Sequence, residues 1–120
     1  MGLTKVTATI SNLGKTTAGY ESLFLVDTGA IHCLAPKDEL EKAGINIEGK
    51  ATYELANGDP YEVEYGFARI TFMGAETVVQ VIFGPEKVEP ILGVVALENV
   101  GIGVDPVTMT LKKMPAIPLK

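Results

Sequence analysis

The sequence predicts a mostly β domain with one or two short helices, and three observations support this fold class. Most apolar segments are only four to seven residues long and are separated by glycine, asparagine or proline turns, as is typical of strands. Two segments with helical features lie between such strands, and each ends at a glycine. The chain has 120 residues, of which 47% are hydrophobic, which suits one domain with a modest core.

The strands follow from short segments that either alternate or are wholly apolar. We expect them at residues 4–10, 20–26, 52–55, 61–67, 69–72, 77–83, 102–104 and 108–111. The Asn57-Gly58 pair predicts a hairpin with a type I′ turn, in which both central residues have positive φ.

The two helices are expected at residues 36–43 and 94–99. The first has a proline and acidic residues at its start and stops at Gly44, and the second stops at Gly101. We expect one domain over residues 1–113. The tail, residues 114–120, contains Pro115 and Pro118 and is expected to leave the sheet.

Charge and cysteine content limit the possible partners. The formal net charge is −5 and no basic cluster is present, which argues against nucleic acid or an anionic membrane surface. The N-terminal residues lack an apolar signal core, and no apolar run reaches 18 residues. Cys33 is the only cysteine, which favours a reducing compartment. We therefore expect a cytoplasmic protein with no nucleic-acid or membrane partner.

Residues 23–30, Leu-Phe-Leu-Val-Asp-Thr-Gly-Ala, place a carboxylate at the end of an apolar strand. Burying an unpaired carboxylate costs several kcal/mol, so Asp27 needs an explanation. One interpretation is a simple turn, in which the Asp27 side chain bonds its own backbone two residues on and Gly29 takes a positive φ. The other is a functional carboxylate, supported by a second apolar pair that ends in glycine before a helix, at residues 91–93.

A short pattern, Leu-Glu-x-x-Gly-Ile, occurs at residues 40–45 and again at residues 97–102. Each copy follows an apolar strand and a glycine turn. The repeat indicates two related strand-turn-helix halves, of which only the first carries an acid, although short helices that end in glycine are common.

His32 and Cys33 are adjacent, so on an extended segment their side chains point to opposite faces. That geometry does not suit a cysteine-histidine nucleophile pair, and the two residues cannot complete a four-ligand zinc site. We expect both to have packing or surface roles.

Taken together, the motifs resemble those of the retropepsin-like aspartic proteases, in particular their small cellular and bacterial single-lobe members. Members carry Asp-Ser/Thr-Gly after an apolar strand, then a flap hairpin, then two apolar residues and a glycine before a helix. The order and spacing fit residues 4–111, with the flap hairpin around Asn57 and Gly58. Val94 stands where retroviral enzymes usually have arginine. The resemblance implies a single-lobe closed β-barrel of the acid-protease type.

The resemblance also implies roles for individual residues. Asp27 would be the catalytic carboxylate, Thr28 would hydrogen-bond across a subunit interface, and Gly29 would let the backbone approach the carboxylate. The implied substrate-binding residues are Ala30, Leu55, Ala56, Asn57, Gly58, Asp59, Ile91 and Leu92. No cofactor and no metal are implied.

The sequence contains no second Asp-Thr-Gly or Asp-Ser-Gly, and Asp38, Asp59 and Asp105 lie in helix-start or turn contexts. Peptide hydrolysis by this chemistry needs two carboxyls around one water. The resemblance therefore implies a homodimeric endopeptidase that acts on polypeptides, with the water held between two Asp27 carboxyls. The alternative is a non-proteolytic module of the same fold that serves in dimerisation or peptide binding.

Overall fold

Residues 4–114, which a computed structural model describes, form nine strands and two short helices. The strands are β1 (Lys5–Ser11), β2 (Tyr20–Val26), β3 (Cys33–Pro36), β4 (Gly49–Glu54), β5 (Pro60–Phe72), β6 (Ala75–Gly84), β7 (Ile91–Leu92), β8 (Ile102–Asp105) and β9 (Thr110–Lys113). The helices are α1 (Lys37–Lys42) and α2 (Val94–Asn99).

Six of the strands close into a ring. The hydrogen-bonded order is β1-β2-β7-β3-β6-β5, and β5 pairs back with β1 through Ala8↔Phe72 to Ser11↔Arg69. β4 extends the sheet beyond β5, and β8 and β9 form a separate hairpin. This confirms the predicted mostly β, single-lobe barrel with two short helices.

The core lies inside the ring and consists of apolar side chains. Along the second half of β5, every other residue is buried: Gly66, Ala68, Ile70 and Phe72. This alternation is what a strand with one face on the core requires. Among the described residues no polar or charged residue is buried, so the barrel interior is held together by apolar packing.

The repeated Leu-Glu-x-x-Gly-Ile pattern has the same structure twice. Leu40 of α1 and Leu97 of α2 are both buried, and each helix stops at a glycine with positive φ, 79° at Gly44 and 70° at Gly101. Both helices are six residues long, and no helix within residues 4–114 is long and apolar enough to cross a membrane.

The prediction of a type I′ turn at Asn57-Gly58 is wrong. Of these two residues only Gly58 has a positive φ, 89°, and the Gly58 N–H donates to the Leu55 carbonyl at 2.8 Å. The Asn57 carboxamide oxygen accepts the Asp59 N–H at 3.0 Å, and this local bond favours a longer turn. The two-residue turn with positive φ at both positions lies instead at Met73 and Gly74, between β5 and β6.

Other elements differ from the prediction in extent. The segments expected at residues 61–67 and 69–72 form one 13-residue strand, β3 was not predicted as a strand, and β7 was expected only as the short apolar strand before the second glycine turn. β7 has only two residues and β3 ends on a proline, so neither has the length that marks a strand in sequence. The expected course of the tail falls almost wholly outside the described residues, and the domain boundary at residue 113 stays a prediction.

Candidate active site

Asp27 follows directly on β2 and its backbone is fixed by neighbours on both sides. β2 is antiparallel to β1 and parallel to β7. The Val26 N–H donates to the Thr4 carbonyl at 2.9 Å, and the Asp27 N–H donates to the Leu92 carbonyl at 3.1 Å. The carboxylate therefore sits on a rigid strand end, as a site that needs a defined position requires.

The Asp27 carboxylate is half-buried, and its Oδ1 accepts the Gly29 N–H at 2.9 Å. The Asp27 carbonyl accepts the Ala30 N–H at 3.1 Å, which completes a tight turn. The hydrogen bond expected for a simple turn is thus present, but the positive φ expected at Gly29 is not. A Cβ at Gly29 would lie 3.2 Å from Asp27 Oδ1, so the glycine gives the carboxylate room beside the backbone.

The loop after Asp27 rests on the start of α2. The Val94 N–H donates to the Ala30 carbonyl at 2.7 Å, and the Val95 N–H donates to the Ile31 carbonyl at 3.2 Å. A Cβ at Gly93 would lie 2.5 Å from the His32 carbonyl oxygen, so only glycine allows this close approach. The two glycine-containing motifs of the sequence are therefore in direct contact.

A cavity of about 300 Å³ opens beside this loop. It is lined by Gly29, Ala30, Ile31, His32, Leu34, Tyr53, Ile82 and Ile91. Of the residues expected to contact substrate, Ala30 and Ile91 line this cavity. Leu92 is instead fully buried in the core, so its side chain is not available to a substrate, although its carbonyl holds the Asp27 N–H.

The sequence profile of a family described as aspartyl protease matches residues 6–96, well over half of the chain. The chain belongs to the aspartyl protease family. The fold of this chain is similar to the solution structure of the simian foamy virus (mac) protease, with a TM-score of 0.56 and 15% identity over 78% of this chain and 91% of the viral one. No curated protein sequence matches the chain. Family and fold together identify a retropepsin-like aspartic protease and support a protease function.

Thr28 and Gly29 are both exposed on the single chain. A threonine that bonds across a subunit interface would have to be exposed in one subunit, but the partner of its hydroxyl stays a prediction.

The flap hairpin consists of β4, residues 55–59 and the part of β5 that pairs with β4. Residues 55–59, all expected to contact substrate, are exposed at its tip and do not line the cavity. Tyr53, which was not among the expected site residues, does line it. The only sequence signal that could have identified Tyr53 is its position two residues before Leu55, on the strand leading to the tip.

His32 and Cys33 are adjacent in sequence but lie in different environments. His32 is half-buried at the cavity wall, a position that was not predicted. Cys33 is 1% exposed and packs in the core, as expected, and burial raises the pKa of its thiol to about 11, opposed in part by a backbone hydrogen bond from Gly93. Within residues 4–114 no three His, Cys, Asp or Glu residues are grouped so as to hold a metal ion.

Proposed function

We propose that the protein is a homodimeric aspartic endopeptidase in which each subunit contributes Asp27 to one shared site. The observation that carries this proposal is the half-buried Asp27 carboxylate in an Asp-Thr-Gly turn at a fixed strand end of an aspartyl protease chain. The sequence holds one such motif, so one chain supplies one of the two carboxyls that the chemistry needs. A two-fold dimer with Asp27 beside its axis supplies both.

In this mechanism one Asp27 carboxyl is ionised and the other is protonated. Two carboxylates about 3 Å apart would repel by roughly 5 kcal/mol at an effective dielectric constant of about 20, so the pair keeps one proton between them. This is the established pattern of aspartic-protease dyads. The ionised carboxyl accepts a proton from the water that attacks the scissile carbonyl carbon, while the protonated carboxyl donates a hydrogen bond to the carbonyl oxygen.

Collapse of the resulting tetrahedral intermediate breaks the C–N bond. The proton taken from water passes from the carboxyl to the leaving nitrogen, which restores the shared-proton state. The Gly29 N–H, which already donates to Oδ1, holds one carboxylate oxygen in place throughout these steps. The flap hairpin would cover the bound peptide and exclude bulk water.

The test is hydrolysis of a mixed peptide library by wild type and by Asp27→Asn over about pH 3 to 8, a range around the ordinary carboxyl titration. We expect the asparagine variant to lose hydrolysis and keep its fold, because the amide has the shape of the carboxyl but cannot transfer the proton. Glu86→Gln, which removes an exposed carboxylate outside the site, is the matched control and should retain activity.

Hydrolysis that survives in Asp27→Asn refutes the aspartic mechanism. A wild-type protein that dimerises and binds peptides without cleaving them favours the non-proteolytic module instead.

A further inference from the structure

The flap hairpin leaves the barrel at Glu64. β5 is a continuous strand of 13 residues, and β6 pairs with it only from Glu64↔Phe83 to Phe72↔Ala75. Within the described chain, residues 60–63 of β5 pair with β4 alone. A strand that is supported on one side only opens more readily than a strand inside a sheet. Glu64 therefore marks the base about which the hairpin can move.

Just below this base, β5 is held tightly by the segment that leads into β4. A Cβ at Gly66 would overlap the Asn46 carbonyl oxygen, so the two backbones are in close contact. The Glu48 N–H also donates to the Tyr65 carbonyl at 2.8 Å. Movement of the hairpin relative to the barrel therefore begins beyond Tyr65, at Glu64.

The Glu64 side chain is tied to the first residue of α1. Lys37 Nζ donates a hydrogen bond to Glu64 Oε1 at 2.9 Å, and this bond together with the Glu64 charge raises the pKa of Lys37. The sheet brings the two residues together, since Phe83 on β6 pairs with Ala35 on one side and with Glu64 on the other. The ion pair thus reaches across β6 and joins residues 27 positions apart in the chain.

Lys37 belongs to the segment that carries the candidate active site. It follows β3 directly, and β3 continues the loop after Asp27. β3 is paired with β6 and β7, so Lys37 has a defined position relative to Asp27. The other ion pair of the hairpin among residues 4–114 joins Lys50 to Glu62 inside the hairpin itself. The Lys37–Glu64 pair is therefore the ion pair that connects the hairpin to the barrel.

We propose that the Lys37–Glu64 ion pair is a latch that fixes the base of the flap hairpin to the segment leading from Asp27, and so positions the hairpin over the active site. This rests on the proposed function, since it names what holds the cover of the same site. Lys37 and Glu64 are positioning residues, because neither lines the cavity beside Asp27. Without the latch, a bound peptide has to order the hairpin base as it binds, which weakens binding.

Amide hydrogen exchange tests the latch without hydrolysis. It is followed residue by residue by NMR on the full-length protein without peptide. We expect Lys37→Gln and Glu64→Gln each to speed exchange at residues 64–66 and 82–84 by roughly 2- to 5-fold, the range for a partly exposed ion pair. The double variant should exceed neither single variant, since all three remove the same interaction. Lys37→Arg keeps the charge and should retain wild-type exchange.

Lys15→Gln is the matched control. It breaks the ion pair between Lys15 and Glu76, which lies at the other end of the β5–β6 ladder and is also partly exposed. This variant should leave exchange at residues 64–66 and 82–84 unchanged.

Peptide hydrolysis supplies the second measurement. The two latch variants should raise KM roughly 2- to 5-fold and leave kcat unchanged, because the Asp27 carboxyl is untouched and the bound peptide restores the order of the hairpin. A residue that only stabilises the fold would not change KM in a protein that stays folded.

Unchanged exchange at residues 64–66 and 82–84 overturns the latch, and so does exchange that becomes faster throughout the barrel. Local acceleration with an unchanged KM overturns the positioning role. Local acceleration in a protein whose wild-type form hydrolyses no peptide refutes the proposed function and leaves the latch standing. Hydrolysis that requires Asp27, with exchange unaffected by either latch variant, does the reverse.

Discussion

Gly93 lies where the loop after Asp27 contacts the start of α2. Its missing side chain leaves room for the His32 carbonyl oxygen, which an added Cβ would approach to 2.5 Å, and the neighbouring Ile31 carbonyl oxygen would lie at 2.7 Å. The Ile31 carbonyl oxygen accepts the Val95 N–H at the start of α2 at 3.2 Å, so it cannot move aside without weakening that hydrogen bond.

We therefore expect Gly93→Ala to lower the free energy of unfolding by about 1–3 kcal/mol, the usual cost of overpacking. This change in the free energy of unfolding can be measured by urea titration monitored by circular dichroism. Gly14→Ala is the matched control, because its Cβ would meet Thr16 only at 3.4 Å, an ordinary contact. Equal stability of wild type and Gly93→Ala would contradict the close approach.

The burial of Cys33 leads to a prediction about the reactivity of its thiol. Burial raises its thiol pKa to about 11, so at pH 8 almost none of it is the reactive thiolate. We expect the native protein to resist iodoacetamide at this pH, and mass spectrometry should find one alkylated site only after denaturation in urea. Rapid alkylation without denaturant would show that the strand β3 opens readily.

At the scale of residues, the sequence alone singles out candidate site residues when they belong to a local motif. Asp27, Gly29 and Gly93 could be singled out because each stands at a fixed place in a short pattern. Tyr53 and Ile82 could not, because they join the cavity only through the pairing of distant strands. His32 was predicted to have a packing or surface role, since nothing local shows that the cavity opens on its side.

Among the elements, the flap hairpin depends on Gly58, which has a φ of 89°. Valine at this position should be strained by about 1–2 kcal/mol, since the left-handed region places Cβ against the following carbonyl. We expect Gly58→Val to impair peptide turnover while the barrel stays folded. Steady-state kinetics on one peptide measure this.

Gly58→Asn is the control for that change, because asparagine tolerates the left-handed region. Its turnover should stay near that of wild type. Unchanged turnover in Gly58→Val, with an intact fold, would mean that the hairpin does not cover the substrate.

Element prediction failed where tertiary pairing outweighed the local signal. The Asn57-Gly58 pair favours a two-residue turn, but the side chain of Asn57 bonds Asp59, and the pairing of Glu54 with Pro60 leaves five residues between the strands. β7 is a strand only because β2 and β3 lie on either side of it. In the sequence this strand was visible only as a short apolar segment before a glycine turn.

For the whole molecule, the proposed function makes activity depend on association of two chains. If two chains form one site, specific activity should fall on dilution below the dissociation constant of the dimer, because a monomer supplies one carboxyl. Activity per milligram and sedimentation velocity, measured over the same concentration series, should change together. Constant specific activity across a range in which only monomer sediments would exclude the shared site.

Closure of the ring also predicts the order in which the strands pair during folding. β5 and β6 are joined by the two residues Met73 and Gly74, so their pairing needs almost no loop closure. β1 and β5 close the ring through Ala8↔Phe72, residues 64 positions apart (72 − 8), and long-range pairs form slowly because chain entropy is lost before contacts form. We therefore expect the β5–β6 hairpin to form early and the pairing of β1 with β5 to form late. Until it joins, one edge each of β1 and β5 is open to pairing with another chain, so the slow step of folding is also the one at which aggregation competes.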